Sequence, residues 1–137
     1  MSAPGVSVRR DRVAPLVTGA LGAAGTVLLA VADPHGGGYG FCPLLRLTGW
    51  YCPTCGGLRT THDLATGDLV GAWSMNPLLT VGLPLAAVAW VLWTYRSLRG
   101  LPGWTPPAWL WWAIGVLTLV FGVLRNIGAL HPFLGPS

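Results

Sequence analysis

The chain has 137 residues and a formal net charge of +4, with 53% hydrophobic and only 9% charged residues and a mean hydropathy of +0.59. That balance lies outside the range of an ordinary soluble domain and predicts a membrane protein. All eight basic residues are arginines, spread thinly, which excludes the clustered basic face that nucleic-acid binding needs and, with frequent Ala, Gly, Pro and Trp, suits a GC-rich bacterial genome.

In chain order, residues 1–14 form a tail holding Arg9, Arg10 and Arg12. Pro15 to Ala32, "PLVTGALGAAGTVLLAVA", is near the minimum length that crosses a hydrocarbon core of roughly 30 Å and is expected to be the first membrane helix. The same stretch also reads as a secretory signal with a cleavage site after Ala30-Val31-Ala32, but its apolar core is longer than usual, and the uncleaved helix is preferred. Residues 33–76 gather the polar side chains and all three cysteines. A second span runs from Pro77 to Tyr95, with Gly82 and Pro84, which membrane helices tolerate. The connection 96–107, "RSLRGLPGWTPP", stops it with prolines and glycines. A third span, 108–124, ends against Arg125, and 125–137 is a tail. The expected fold is a single all-α membrane domain of about three transmembrane helices plus a short amphipathic interfacial helix after the cysteine loop.

Arg9, Arg10, Arg12, Arg96 and Arg99 fall on one side of these spans and Arg46, Arg59 and Arg125 on the other. Because cytoplasmic flanks retain positive charge, the N-terminus is expected inside and the 33–76 segment outside, in a bacterial cytoplasmic membrane. Trp90, Trp93, Tyr95, Trp104, Trp109, Trp111 and Trp112 crowd both ends of the 96–107 connection, the pattern of an aromatic belt at a headgroup layer.

Within 33–76, "DPHGGGYG" is a glycine-rich loop, with His35 expected in solvent. From Leu58, the positions Leu58, Thr61, His62, Ala65, Leu69 and Ala72 recur at helical spacing, while Arg59 and Asp63 form an i,i+4 pair on another side. Gly67 stops this helix, Asp68 caps a restart, and Asn76-Pro77 is an N-cap followed by proline at the first helical position. Arg125 is expected either to close onto Asp68 or Asp63 or to snorkel to the interface. Asp63 and Asp68 do not make an acid–base pair, since one is tied to Arg59 and the other caps a helix.

"CPTCGGLRT", residues 52–60, admits three readings. A disulfide among Cys42, Cys52 and Cys55 would staple a loop with little core, the preferred reading. A Cys-x-x-Cys redox pair would have Cys52 as the attacking thiol, its thiolate favoured by the helix start just beyond. A zinc site would use Cys42, Cys52, Cys55 and His62, four ligands compatible with tetrahedral geometry. Three cysteines permit one disulfide and leave one thiol.

Cys42, Gly49, Cys52-Pro53-x-Cys55-Gly56-x-x-Arg59, Gly67-Asp68, Ala72 and Asn76-Pro77 together resemble the small bacterial membrane proteins of domain-of-unknown-function family 2752, with Arg125-Asn126 as a further shared feature. Leu58 stands before Arg59 where the family usually has Thr or Ser. The resemblance implies a helical integral membrane protein of about three spans and carries no reaction, substrate or cofactor. The functional expectation is therefore a structural or accessory subunit, embedded in lipid and docked on another membrane protein, with no committed catalytic residue and no cofactor beyond the zinc alternative. Thiol redox chemistry through Cys52 and Cys55 is the second reading.

Overall fold

The computed structural model describes residues 4–32, 34–36, 42–102, 105–128, 130 and 134. Asp33, residues 37–40 of the glycine-rich stretch and Trp104 lie outside these. The described elements are α1 (Pro4–Ala32), a 3-10 turn (Pro34–Gly36), α2 (Pro43–Thr48), α3 (Gly57–Thr66), α4 (Leu69–Met75), α5 (Pro77–Leu98) and α6 (Ala108–Leu124), with no strand among the described residues.

Two helices, not the expected three, are long and apolar enough to cross a membrane: Arg12–Ala32, with 21 residues, and Pro77–Leu98, with 22. At the rise of an α-helix they reach about 31–33 Å, matching a hydrocarbon core of about 30 Å. α6 is as apolar but has only 17 residues, which gives about 25 Å. It stops at Arg125, which is fully buried.

α1 and α5 run antiparallel. The Trp90 indole donates to the Pro15 carbonyl at 2.9 Å near the start of α1, and the end of α1 meets α3, where His62 Nδ1 lies 2.8 Å from the Leu29 carbonyl. α6 returns to the cysteine end, where Gly122 meets Pro53 and Arg125, just beyond the helix, donates to the Met75 carbonyl. The Trp90 ring lies against Gly19, where any side chain would collide with it. Gly19→Val is therefore expected to cost about 1–3 kcal/mol by forcing the two helices apart. Gly22→Val, facing open space, should be neutral, and thermal unfolding of both variants in detergent checks this.

The interior is polar and lies at the cysteine end. Thr60, Asp63, Asn76 and Arg125 are buried there beside Cys55, Ala72, Met75 and Phe121, while Leu21, Val31, Leu85, Trp112 and Leu119 are widely exposed. This inverts the face expected for α3: Thr60 and Asp63 point inward, whereas Leu58 and Ala65 are exposed. The rule that apolar residues face the core fails because the inner surface of this helix meets a polar loop.

Candidate functional site

Local rules build the frame. Gly67 closes α3 in the left-handed region, at φ 87°, a conformation that glycine adopts without steric cost. Asp68 then caps α4 by accepting from the Gly71 amide at 2.8 Å. Asn76 ends α4 and starts α5: its Oδ1 accepts from the Leu79 amide at 3.1 Å, with Pro77 at the first position. Gly56, at φ 80°, starts α3 so close to the Met75 carbonyl that a Cβ would press on it at 3.0 Å.

The cysteine loop is held by amide and guanidinium donors aimed at its carbonyls. Asn76 Nδ2 donates to Pro53 O at 2.9 Å and Cys55 O at 3.1 Å. Arg125 donates through Nη1 to Cys55 O at 2.9 Å and, more weakly, Cys52 O at 3.4 Å, and through Nη2 to Met75 O at 2.8 Å. Asn126 brackets Tyr51, accepting from its amide at 2.8 Å and donating to its carbonyl at 2.9 Å. Gly122 on α6 lets Pro53 pack against that helix. The expected closure of Arg125 onto Asp68 or Asp63 does not form, and the side chain does not snorkel: it donates to three backbone carbonyls, two from the cysteine turn and one from the end of α4. Asn76→Ala removes two loop contacts and one cap, so a loss of about 2–4 kcal/mol is expected, read by thermal unfolding in detergent.

The three cysteines converge without a disulfide. Their sulfurs lie 3.0 Å apart for Cys42 and Cys55, 3.1 Å for Cys52 and Cys55, and 3.6 Å for Cys42 and Cys52, against about 2.05 Å for a bond. The expected staple is thus corrected: the loop is clamped by polar side chains and its sulfurs are free. Cys42 and Cys52 are half-buried and Cys55 is buried.

The environments of the thiols differ. The Cys55 thiol beside it, then the Leu45 backbone, lower Cys42 from 9.0 to about 7. Burial, then the Cys42 thiol, pushes Cys55 up to about 12. A thiolate is therefore favoured at Cys42, a thiol outside the Cys-x-x-Cys pair. Arg125 complements this: burial lowers its pKa, while the nearby sulfurs of Cys55, Cys52 and Cys42 raise it, so a negative sulfur stabilises the buried cation.

His62 does not join the sulfurs. It sits with His35 and Asp63 in a second group, whose rings and carboxylate converge from the 3-10 turn and from α3. Asp63 faces His35 Nε2 at 3.4 Å, and among the described residues no Arg59–Asp63 ion pair forms. Arg59 is half-exposed on α3, whereas Thr60 and Asp63 are buried. His35 is exposed, as expected of a loop residue, and its meeting with residues 27 and 28 positions later is tertiary and leaves no sequence signal.

No curated protein and no solved structure matches the chain. Residues 42–90, from the first cysteine of the triad through most of α5, match the family model described as protein of unknown function (DUF2752), so the resemblance carried by the cysteine motif is shown over that segment.

Proposed function

We propose that the chain is an integral protein of the bacterial cytoplasmic membrane whose cysteine triad exchanges disulfides with extracytoplasmic partners. The observation that carries the reading is the mutual contact of three free sulfurs at 3.0–3.6 Å in a loop already fixed by Asn76, Arg125 and Asn126. A staple would be needed only if the loop lacked other support. Since it does not, the thiols are available for chemistry, and this reading replaces the accessory-subunit expectation.

The membrane setting is supported by the burial of the two long apolar helices, 6% and 0% of their apolar windows, which is unlike the core of a soluble protein. Arg12, Arg96 and Arg99 lie at the end away from the cysteines, which favours that end as cytoplasmic and the triad as extracytoplasmic, where disulfides persist. Retention of α1 is supported by its bonds from Trp90 to Pro15 and from His62 to Leu29, both lost on cleavage after Ala32.

The chemistry balances as two exchanges. The Cys42 thiolate attacks one sulfur of a partner disulfide; that bond breaks, a mixed disulfide forms, and the displaced partner sulfur leaves as a thiolate that takes up a proton. Cys55 loses its proton and attacks Cys42 Sγ, forming the Cys42–Cys55 disulfide and releasing the second partner sulfur. The partner disulfide gains two electrons and the chain's dithiol loses two; the reverse sequence delivers a disulfide. Cys52, in contact with both sulfurs, can take the place of Cys55 as resolving thiol.

A double variant, Cys52→Ser with Cys55→Ser, removes both resolving thiols and should trap reducible mixed disulfides on Cys42 in acid-quenched native membranes. No adduct in this variant, with Cys42 unreactive to alkylation in the intact membrane, contradicts the proposal. Stoichiometric metal bound through sulfur would make the triad a metal site instead.

A further inference from the structure

We infer that His35, His62 and Asp63 form a binding site for a divalent zinc-type ion, separate from the cysteine triad. One ligand atom from each lies within 4.8 Å of the others. The two imidazole rings meet edge to face, with centroids 5.5 Å apart, and His35 Nε2 is 3.4 Å from Asp63 Oδ1.

Three features suit a metal better than a purely structural cluster. First, His62 Nδ1 lies 2.8 Å from the Leu29 carbonyl, an acceptor only, so Nδ1 is the donor there and the neutral ring of that tautomer carries its lone pair on Nε2. Such a bond to the far ring nitrogen is how metal-bound histidines are oriented. Second, Asp63 is buried, with a side chain only 6% exposed, so its carboxylate offers a ligand oxygen in a poorly solvated setting where attraction to a divalent ion is screened little. Third, the His35 side chain is 37% exposed, which leaves the cluster an open side through which an ion enters and a water completes the shell.

Imidazole and carboxylate donors favour zinc, cobalt or nickel over magnesium or calcium, which prefer all-oxygen shells. Tetrahedral ligand bonds of about 2.0–2.2 Å place donors about 3.3–3.6 Å apart; His35 Nε2 and Asp63 Oδ1 already meet this at 3.4 Å, and the other separations, within 4.8 Å, close by up to about 1.5 Å. Small side-chain rotations of His35, on a single 3-10 turn, and of His62 supply that closure. Asp63 and His62 are adjacent on α3 and enter from a fixed backbone, while His35 closes the site from the segment following α1. An ion there would tie the end of α1 to α3.

The test uses the metal alone. Cobalt(II) is titrated into the detergent-solubilised, metal-stripped full chain and followed by absorption, since cobalt bound through sulfur shows strong thiolate charge-transfer bands and cobalt bound through imidazole and carboxylate does not. The expected result is one equivalent bound without thiolate bands and displaced by zinc. H35Q, at an exposed position, should keep the native circular dichroism and weaken this binding at least about tenfold. Absence of binding, thiolate bands from the first equivalent, or undiminished affinity in H35Q overturns the inference. Disulfide exchange by the triad is read separately, and its failure leaves this site standing.

Discussion

Arg125→Met is expected to destabilise the detergent-solubilised protein by about 3–5 kcal/mol, a large share of the stability of a chain this size. The guanidinium is fully buried and donates to the carbonyls of Cys52, Cys55 and Met75, and methionine fills the space while donating nothing. Each carbonyl left without its donor costs about 1–3 kcal/mol, and neighbouring groups recover part of that. Arg125→Lys keeps the charge but offers a point donor in place of a planar fork, so it should recover less than half of the loss. Arg99→Met, exposed at the far end of α5, should change stability by no more than about 0.5 kcal/mol. Thermal and denaturant unfolding of the three variants checks this. Because Arg125 holds the loop, Arg125→Met should also let Cys55, buried in the native protein, be alkylated in the absence of denaturant.

Alkylation of Cys42 should reach half its maximal rate at about pH 7, near two units below an ordinary thiol, while Cys55 stays unlabelled through the neutral range because its pKa is about 12. The sign follows from the cause: a donated hydrogen bond favours the charged sulfur, so the lowered pKa means that thiolate persists from high pH down to about 7 and is lost as the pH falls through that value. Cys55→Ser removes the thiol that contributes most to the lowering and should move the Cys42 midpoint upward. Exchange with a small peptide disulfide should follow the same midpoint and fall at least about a hundredfold in Cys42→Ser, because only a thiolate attacks. A profile centred on Cys52 would reassign the nucleophile. Site-resolved mass spectrometry after timed alkylation distinguishes the two.

What could be read from the sequence was whatever depends on neighbours three or four residues away. Gly67 as a stop, Asp68 as a cap and Asn76-Pro77 as a start are local hydrogen-bond rules, and the structure places each at those boundaries. The convergence of the cysteines is legible for Cys52 and Cys55 by spacing and for Cys42 as an alternative disulfide partner or metal ligand. Arg125 was misplaced because a sequence displays carboxylates as partners and hides backbone carbonyls, which every residue carries. His62 was grouped with the cysteines because it lies seven residues beyond Cys55, yet α3 carries it to Leu29 and His35 instead. The inward face of α3 was misread for a different reason: periodicity reports which residues share a face, not whether that face meets lipid or a polar loop. The shortness of α6 was present in the residue count, but Arg125 looked like an interfacial anchor beyond a complete span, whereas it is the buried end of a helix docked under the loop.

Disulfide exchange by the triad is tested by a redox titration of the full chain in native membranes, with free thiols and reduced disulfides alkylated by distinguishable reagents and read by mass spectrometry. One reversible two-electron couple is expected, in which Cys42 and Cys55 pair and part, Cys52 exchanging into the pair, with one thiol always free. Three thiols that remain reduced across the whole range of potentials, or a fixed disulfide that no physiological reductant opens, would contradict it.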